Sequence, residues 1–514
     1  MSAFSHSADI RLFGEMPYTS LGKKRLAAKW SCIARAGRFY TLRVRRHEGN
    51  AMSSNREIAA PRRLIGAVFA VTILLAGALG AQPRALDMTD MNALEGLAPM
   101  AALGNSVAGK ATLASNFTLT ADLQSGTAKQ PLLLPFPEQQ QQALRDILTT
   151  GIAYELADGL GSKLGAAYQA AISPAYCKDL AFTQNLPAVS DLLRFANAIS
   201  RGNVNAAKFF FANETFYGTR PVSLEAQAIL RVANGTTDVF GKAYSLAQSG
   251  AHFEVNPFGN PRPFQTQPHF TAYSGKDFCG SETTNTDTLQ PLAANPAYPS
   301  NHAAYGYMES LLLGLMVPER YKQMVTRAAE FGNSRIVIGA HYPMDVLASR
   351  TLALYDLAQL LANKTGYVGV ERDNVKIDDF PGALAAAREQ LTAALEKACG
   401  GKIADCAKQD QSRFADPEKN KAFYESTQTY GLPVVFAKGA EGAAADVAKL
   451  APEAGYLLTA AFPSLTLAQA NAILTLTQGP GGGFLDNGSA FGVYSRLDLY
   501  KAAERTEQFL REGK

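Results

Sequence analysis

The chain has 514 residues, 47% hydrophobic and 18% charged, which excludes intrinsic disorder and exceeds what a single hydrophobic core usually holds. Its net charge of +4 is uneven: residues 1–51 carry ten Lys/Arg against three Asp/Glu, a net +7, which leaves −3 on the rest. The basic balance therefore gives no support for a nucleic-acid partner.

Met52 opens a segment with the layout of a secretory signal peptide. Arg56, Arg62 and Arg63 form a positive start, Leu64 to Gly80 is an uncharged apolar run, and Ala78-Leu79-Gly80 is a small-x-small cleavage pattern. The expectation is translation from Met52, with residues 1–51 a mis-started or unstructured leader, 52–81 a signal peptide, and a periplasmic or secreted product. The alternative is a retained anchor, because 17 apolar residues just suffice to span a bilayer; membrane contact is expected only through this segment if it stays uncleaved.

Removing the leader removes Cys32 and leaves Cys177, Cys279, Cys399 and Cys406. In an oxidising compartment these predict two disulfides, Cys399–Cys406 across a short loop and Cys177–Cys279 as the remainder. The alternative is four buried thiols. No CxxC and no clustered histidine suggests zinc.

Residues 82–135 are rich in Ala, Thr, Ser and Leu without clear period and read as a linker or arm. A helix is expected from Pro137 and Glu138, with apolar residues at Leu144, Ile147 and Leu148. Further helices are expected from an N-cap at Ser190, from Ser223 through about Gln248, from an N-cap at Ser300 to a stop before Pro318, and from Pro343 onward. Strand patterns are scarce, so residues 136–365 predict an all-α bundle. Residues 366–514 read as a mostly helical extension packing on that core, with helical pieces at Ala383–Ala398, Ala443–Leu450 and Leu467–Leu474. The Gly479–Gly483 run lacks the Lys-Ser/Thr of a phosphate-binding loop and reads as a turn. Asp486, Asn487, Arg496 and Asp498 are open between a polar rim and a packed structural role.

Three short segments carry chemistry. In "YPSNH", Ser300 caps a helix whose first turn holds Asn301 and His302; free N–H groups and the positive dipole end attract anions there, and a protonated histidine can give its proton to a leaving group. In "NSRIVIGAHYPMDV", Asp345 follows His341 by four residues. With Pro343 at the first helical position, Asp345 can reach back and fix the imidazole tautomer, leaving the other nitrogen as a nucleophile; Arg335 adds a bidentate clamp for an oxyanion. In "NPRPFQ", Arg262 between two prolines is held extended. Each segment alone also reads as ordinary structure.

Together they resemble the phosphatidic acid phosphatase type 2 / bacterial class A acid phosphatase superfamily, which includes the vanadium haloperoxidases. Its signature runs K-x6-R-P, P-S-G-H, S-R-x5-H-x3-D. Ser334-Arg335, His341 and Asp345 match the third block without a break, and Pro299-Ser300-Asn301-His302 matches the second with Asn for Gly. The gaps, 35 residues from Pro263 to Pro299 and 31 from His302 to Ser334, suit the family, and the resemblance covers about 140–365. The family lysine is missing at Val255; Lys242, His252 or Lys276 are the candidates to replace it.

The resemblance implies a haloperoxidase-like helical core and a metal-independent acid phosphatase without cofactor, acting on small phosphorylated substrates. His341 would form a phosphohistidine, His302 would protonate the leaving group and then activate water, Asp345 would orient His341, and Arg262, Arg335, Ser300 and Asn301 would hold the phosphate oxygens. The alternatives are a haloperoxidase carrying vanadate on the same site and a non-catalytic envelope protein that keeps the fold. Oligomeric state is not legible.

Overall fold

A computed structural model describes residues 90–179, 185–216, 262–267, 270–292, 295–437 and 444–513. The leader and signal segment, the helix expected from Ser223, and Lys242, His252 and Val255 lie outside them.

The chain is mostly helical, as its period predicts. Residues 82–135, expected as linker or arm, hold two packed helices from residue 90 on: α1 (Met91–Leu97), capped by Asp90, and α2 (Val107–Ser125), capped by Ser106. The buried face of α2 is Gly109, Thr112, Leu113, Asn116, Phe117 and Thr120, so much of it is small or polar and carries little hydrophobic period. Helix α3 (Phe136–Arg145) starts where Pro137 and Glu138 indicate, and α4 (Ser162–Ile172) follows.

Helix α5 (Pro187–Phe216) starts before Ser190. Ser190 is not a cap; its N–H already donates to Leu186 O at 2.9 Å, because Pro187 supplies a first-turn residue that needs no N–H partner. Helices α6 (Asn301–Met316), α7 (Tyr321–Val337) and α8 (Pro343–Leu361) form the buried centre, with α6 packed on α7, α8 and α5. The close approach of α6 and α7 needs Gly306, since a Cβ there would run into the Phe331 ring.

Two small hairpins interrupt the helices: β1 (Ser274–Lys276) antiparallel to β2 (Glu282–Thr284), and β3 (Glu371–Arg372) antiparallel to β4 (Val375–Lys376). The first is tied to the segment Tyr176–Asp179 by a Cys177–Cys279 disulfide, and Cys399 is joined to Cys406. Both pairings are those expected from the sequence.

The extension is helical too: α9 (Phe380–Cys399), α10 (Pro417–Ser426), α11 (Leu467–Leu476) and α12 (Leu499–Arg511). Buried polar contacts weld it to the core. Arg413 bonds Glu330 of α7, Arg350 of α8 reaches Gln428 and Leu497 O, and Tyr321 donates to Leu457 O. Asp486 and Arg496 form a buried ion pair at 2.6 Å, and Asp498 caps α12 through Lys501 N–H. These side chains support the packed role, not a rim.

Candidate active site

The site is built where α7 ends and α8 begins. Val337 is the last residue of α7, and Gly339 turns the chain with φ +93°, where a Cβ would lie 2.6 Å from the Phe270 ring. The N–H groups of Ala340 and His341 both donate to Arg335 O, at 3.0 and 3.1 Å, so the loop carrying His341 folds back on the helix carrying Arg335. Pro343 then opens α8 and puts Asp345 in its first turn. The Asp345 carboxylate accepts the Tyr342 N–H at 2.9 Å and faces His341 Nδ1 at 3.4 Å.

Arg262 approaches from the other side. Its backbone is extended at φ −92°, ψ 162°, as its flanking prolines dictate, before the short helix Pro263–Thr266. Phe264 N–H donates to Gly339 O at 3.0 Å, which docks that short helix on the His341 loop. The guanidinium is fully buried. Nη1 lies 2.8 Å from His341 Nε2 and donates to Ala340 O at 3.2 Å. Nε donates to Leu292 O and Asn295 O, and Nη2 to Asn295 Oδ1 and Pro296 O. A guanidinium can only donate, so Nε2 is the acceptor and the imidazole proton sits on Nδ1, toward Asp345.

Below this lies an apolar cluster of Leu144, Phe264, Phe270, Leu289, Leu292, Val337 and Ile338, which keeps water from screening the charges above it.

The second block is the start of α6. Ser300 caps the helix, accepting Ala303 N–H at 3.1 Å. Ser300 N–H donates to Ser349 Oγ at 2.7 Å, and Ser349 donates to Asp345 O at 2.8 Å, so the turn before α6 and the turn before α8 are tied through α8. Asn301 donates to Asn205 Oδ1 of α5 at 2.7 Å, and His302 is buried in the first turn.

Arg335 is buried and its Nη1 donates to Asp146 O at 3.0 Å. Burial pushes the Tyr273 hydroxyl up, while the nearby Arg335 charge pulls it down. Asp146 in turn accepts Ser334 Oγ at 2.7 Å and Arg327 at 2.5 Å, a buried network that fixes the start of the Ser334-Arg335 block.

Of the sequence-derived residues, Arg262, His341 and Asp345 are in one contact chain, and Ser300 joins it through Ser349. Arg335 meets His341 through its backbone carbonyl, its guanidinium turning to Asp146. Lys276 does not serve as the missing cation: it is mostly exposed on β1, 4.0 Å from Glu282, because strand alternation turns it outward. Lys208, Asn295, Asp146 and Ser349 belong to the site's surroundings and were not singled out. A lysine three positions after Asn205 on a helix gives only the weak signal of a shared face. Among the described residues no three His, Cys, Asp or Glu side chains gather as a metal-holding group.

Residues 243–360, which span Arg262, Ser300, His302, Arg335, His341 and Asp345, match the PAP2 superfamily. This segment is a PAP2 superfamily domain. It is 35% identical over 130 residues to the non-specific acid phosphatase of Salmonella typhimurium, covering 25% of this chain and 42% of that protein. It is 33% identical over 160 residues to the non-specific acid phosphatase of Salmonella typhi, covering 30% and 54%. It is 37% identical over 86 residues to the non-specific acid phosphatase of Providencia stuartii, covering 17% and 35%. The chain thus spans about half or less of these relatives, and the PAP2 segment is the part that carries the candidate site. Among the described residues no helix is long and apolar enough to cross a membrane.

Proposed function

We propose that the chain is a phosphatase hydrolysing small phosphomonoesters through a phosphohistidine on His341, without a metal. The observation that carries this reading is the chain Asp345–His341–Arg262, with His341 Nε2 as an acceptor 2.8 Å from a buried guanidinium. An imidazole whose lone pair faces a cation is arranged to attack an anionic centre. A phosphate entering here would take over N–H donors that Arg262 now gives to His341 and Ala340.

In the first step Nε2 forms a bond to phosphorus, the bond to the ester oxygen breaks, and His302 gives the leaving alkoxide a proton. In the second, His302 takes a proton from water, whose oxygen attacks phosphorus and releases Nε2 with inorganic phosphate. Asp345 holds the imidazolium character of His341, while Arg262, Arg335, Ser300 and the N–H groups at Asn301 and His302 take the phosphate oxygens. The paired cysteines and the sequence at 52–81 support an exported protein working in an oxidising compartment. The relatives' printed names support the reaction class.

The test is p-nitrophenyl phosphate hydrolysis by the purified chain and its His341→Ala variant. Turnover by the parent and none by the variant is the expected result. Equal turnover by both would remove His341 from the chemistry.

A further inference from the structure

We infer that Asn116 of α2 is a positioning residue for the His341–Asp345 pair: it caps α8 from another helix and so fixes where the Asp345 carboxylate stands. This rests on the phosphatase reading above and extends the site to a helix outside the matched segment 243–360.

The start of a helix leaves N–H groups without intrahelical partners, and a polar side chain at the cap position commonly takes one of them. Helix α8 lacks that device. Tyr342 stands at its cap position and makes no side-chain cap hydrogen bond; its hydroxyl is bonded to Thr266 Oγ1. Pro343 has no N–H. The first N–H of the helix is therefore that of Met344, and it donates to Oδ1 of the buried Asn116 at 3.0 Å, across 228 positions of sequence. The next residue is Asp345, whose carboxylate faces His341 Nδ1 at 3.4 Å. Asn116 thus holds the stretch of backbone from which that carboxylate projects.

Helices α1 and α2 back all three motif segments. Tyr298, just before Pro299 and Ser300, donates to Leu97 O at the end of α1 at 3.1 Å. Gln267, just after the short helix that follows Arg262, donates from Nε2 to Phe117 O at 3.1 Å. Phe117 adjoins Asn116, so one turn of α2 meets the Arg262 segment and the Asp345 segment together. Helix α2 is itself fixed to the extension by Thr112, which donates to Pro433 O at 3.0 Å. Leu97 and Phe117 contribute backbone carbonyls to these contacts. Asn116 contributes a side chain, and a substitution can remove it.

The experiment measures p-nitrophenyl phosphate hydrolysis and its inhibition by inorganic phosphate. The proteins are the full chain and its Asn116→Leu, Asn116→Ala and Asn116→Asp variants, with circular dichroism as the fold check. Without the acceptor the Met344 N–H loses its partner and the first turn of α8 shifts. In folded Asn116→Leu and Asn116→Ala, kcat should fall about tenfold or more. The inhibition constant of inorganic phosphate should stay within about twofold, because its binding groups do not touch Asn116. Asn116→Asp keeps the acceptor and should recover most of kcat. Folded Asn116→Leu with the parent's kcat would overturn the inference. Equal losses in kcat and phosphate binding would overturn it too, as would Asn116→Asp no better than Asn116→Ala. If Asn116→Leu and Asn116→Ala both fail to fold, the side chain is structural and the inference falls. A parent without turnover would instead sink the phosphatase reading, and the inference with it.

Discussion

Nη1 of Arg262 lies 2.8 Å from Nε2 of His341. The same guanidinium holds Leu292 O, Asn295 O, Pro296 O and Ala340 O, so it braces the loop before α6 and the loop before α8 at once. Arg262→Lys keeps a positive charge but not the planar fork. We expect kcat/KM on p-nitrophenyl phosphate to fall by about 10²–10³-fold. A variant within about threefold of the parent would deny Arg262 a part in the transition state.

Asp345 gives one oxygen to both Tyr342 N–H and His341 Nδ1. Asp345→Asn can still accept from Tyr342 but has no charge to stabilise an imidazolium. The helix start should survive while kcat drops by roughly 10²–10⁴-fold, with little change in melting temperature. Steady-state kinetics beside a thermal melt separates the two effects.

The three motif segments were legible because their chemistry is local. Ser300 as N-cap, Pro343 as first helical residue and Arg262 between prolines each dictate a backbone within a few residues. The start of α5 differs from the expected cap at Ser190 because a buried serine in a helix's first turn has the same letter as a cap. Helix α2 was unreadable because its buried face uses Thr112, Asn116 and Thr120 beside Leu113 and Phe117, which blurs the apolar period. Lys208 and Asp146 were invisible for a different reason. Each acquires meaning only from residues far along the chain, Asn295 for the first and Arg327 with Ser334 for the second, and no local rule carries that pairing.

Asp356 of α8 is buried and accepts Asn203 Nδ2 at 2.7 Å and Tyr367 OH at 3.0 Å. Burial pushes its carboxyl from 3.8 up to about 7, against the hydrogen bonds from Asn203 and Tyr367. A raised folded value means the native state holds a proton that the unfolded chain has lost. This contribution to stability is therefore fully present below 3.8 and is lost as pH rises through about 7. Asp356→Asn should remove that loss. Between about pH 5 and about pH 8 the parent's melting temperature should fall further than the variant's, and parallel curves would count against a protonated Asp356.

Arg413 joins the extension to the core by bonding Glu330 at 2.6 Å and Asp158 at 2.7 Å. Burial pushes Glu330 up, with Arg413 and Arg327 opposing; burial also pushes Asp158 up, but Arg327 and Arg413 pull it below the usual carboxylate range. Arg413→Met leaves three carboxylates, Asp146, Asp158 and Glu330, around Arg327 alone, an imbalance that costs about 3–5 kcal/mol when an interior pair is broken. A urea midpoint close to the parent's would show that the extension is held by other contacts.

The central claim is that phosphorus becomes bonded to His341. Rapid quenching of the full chain with a radiolabelled phosphomonoester, followed by peptide mapping, tests it directly. The account predicts an acid-labile, alkali-stable label on the peptide that contains His341, absent in His341→Ala. Label on another residue, or steady turnover by the parent with no trapped label while His341→Ala remains active, would contradict it.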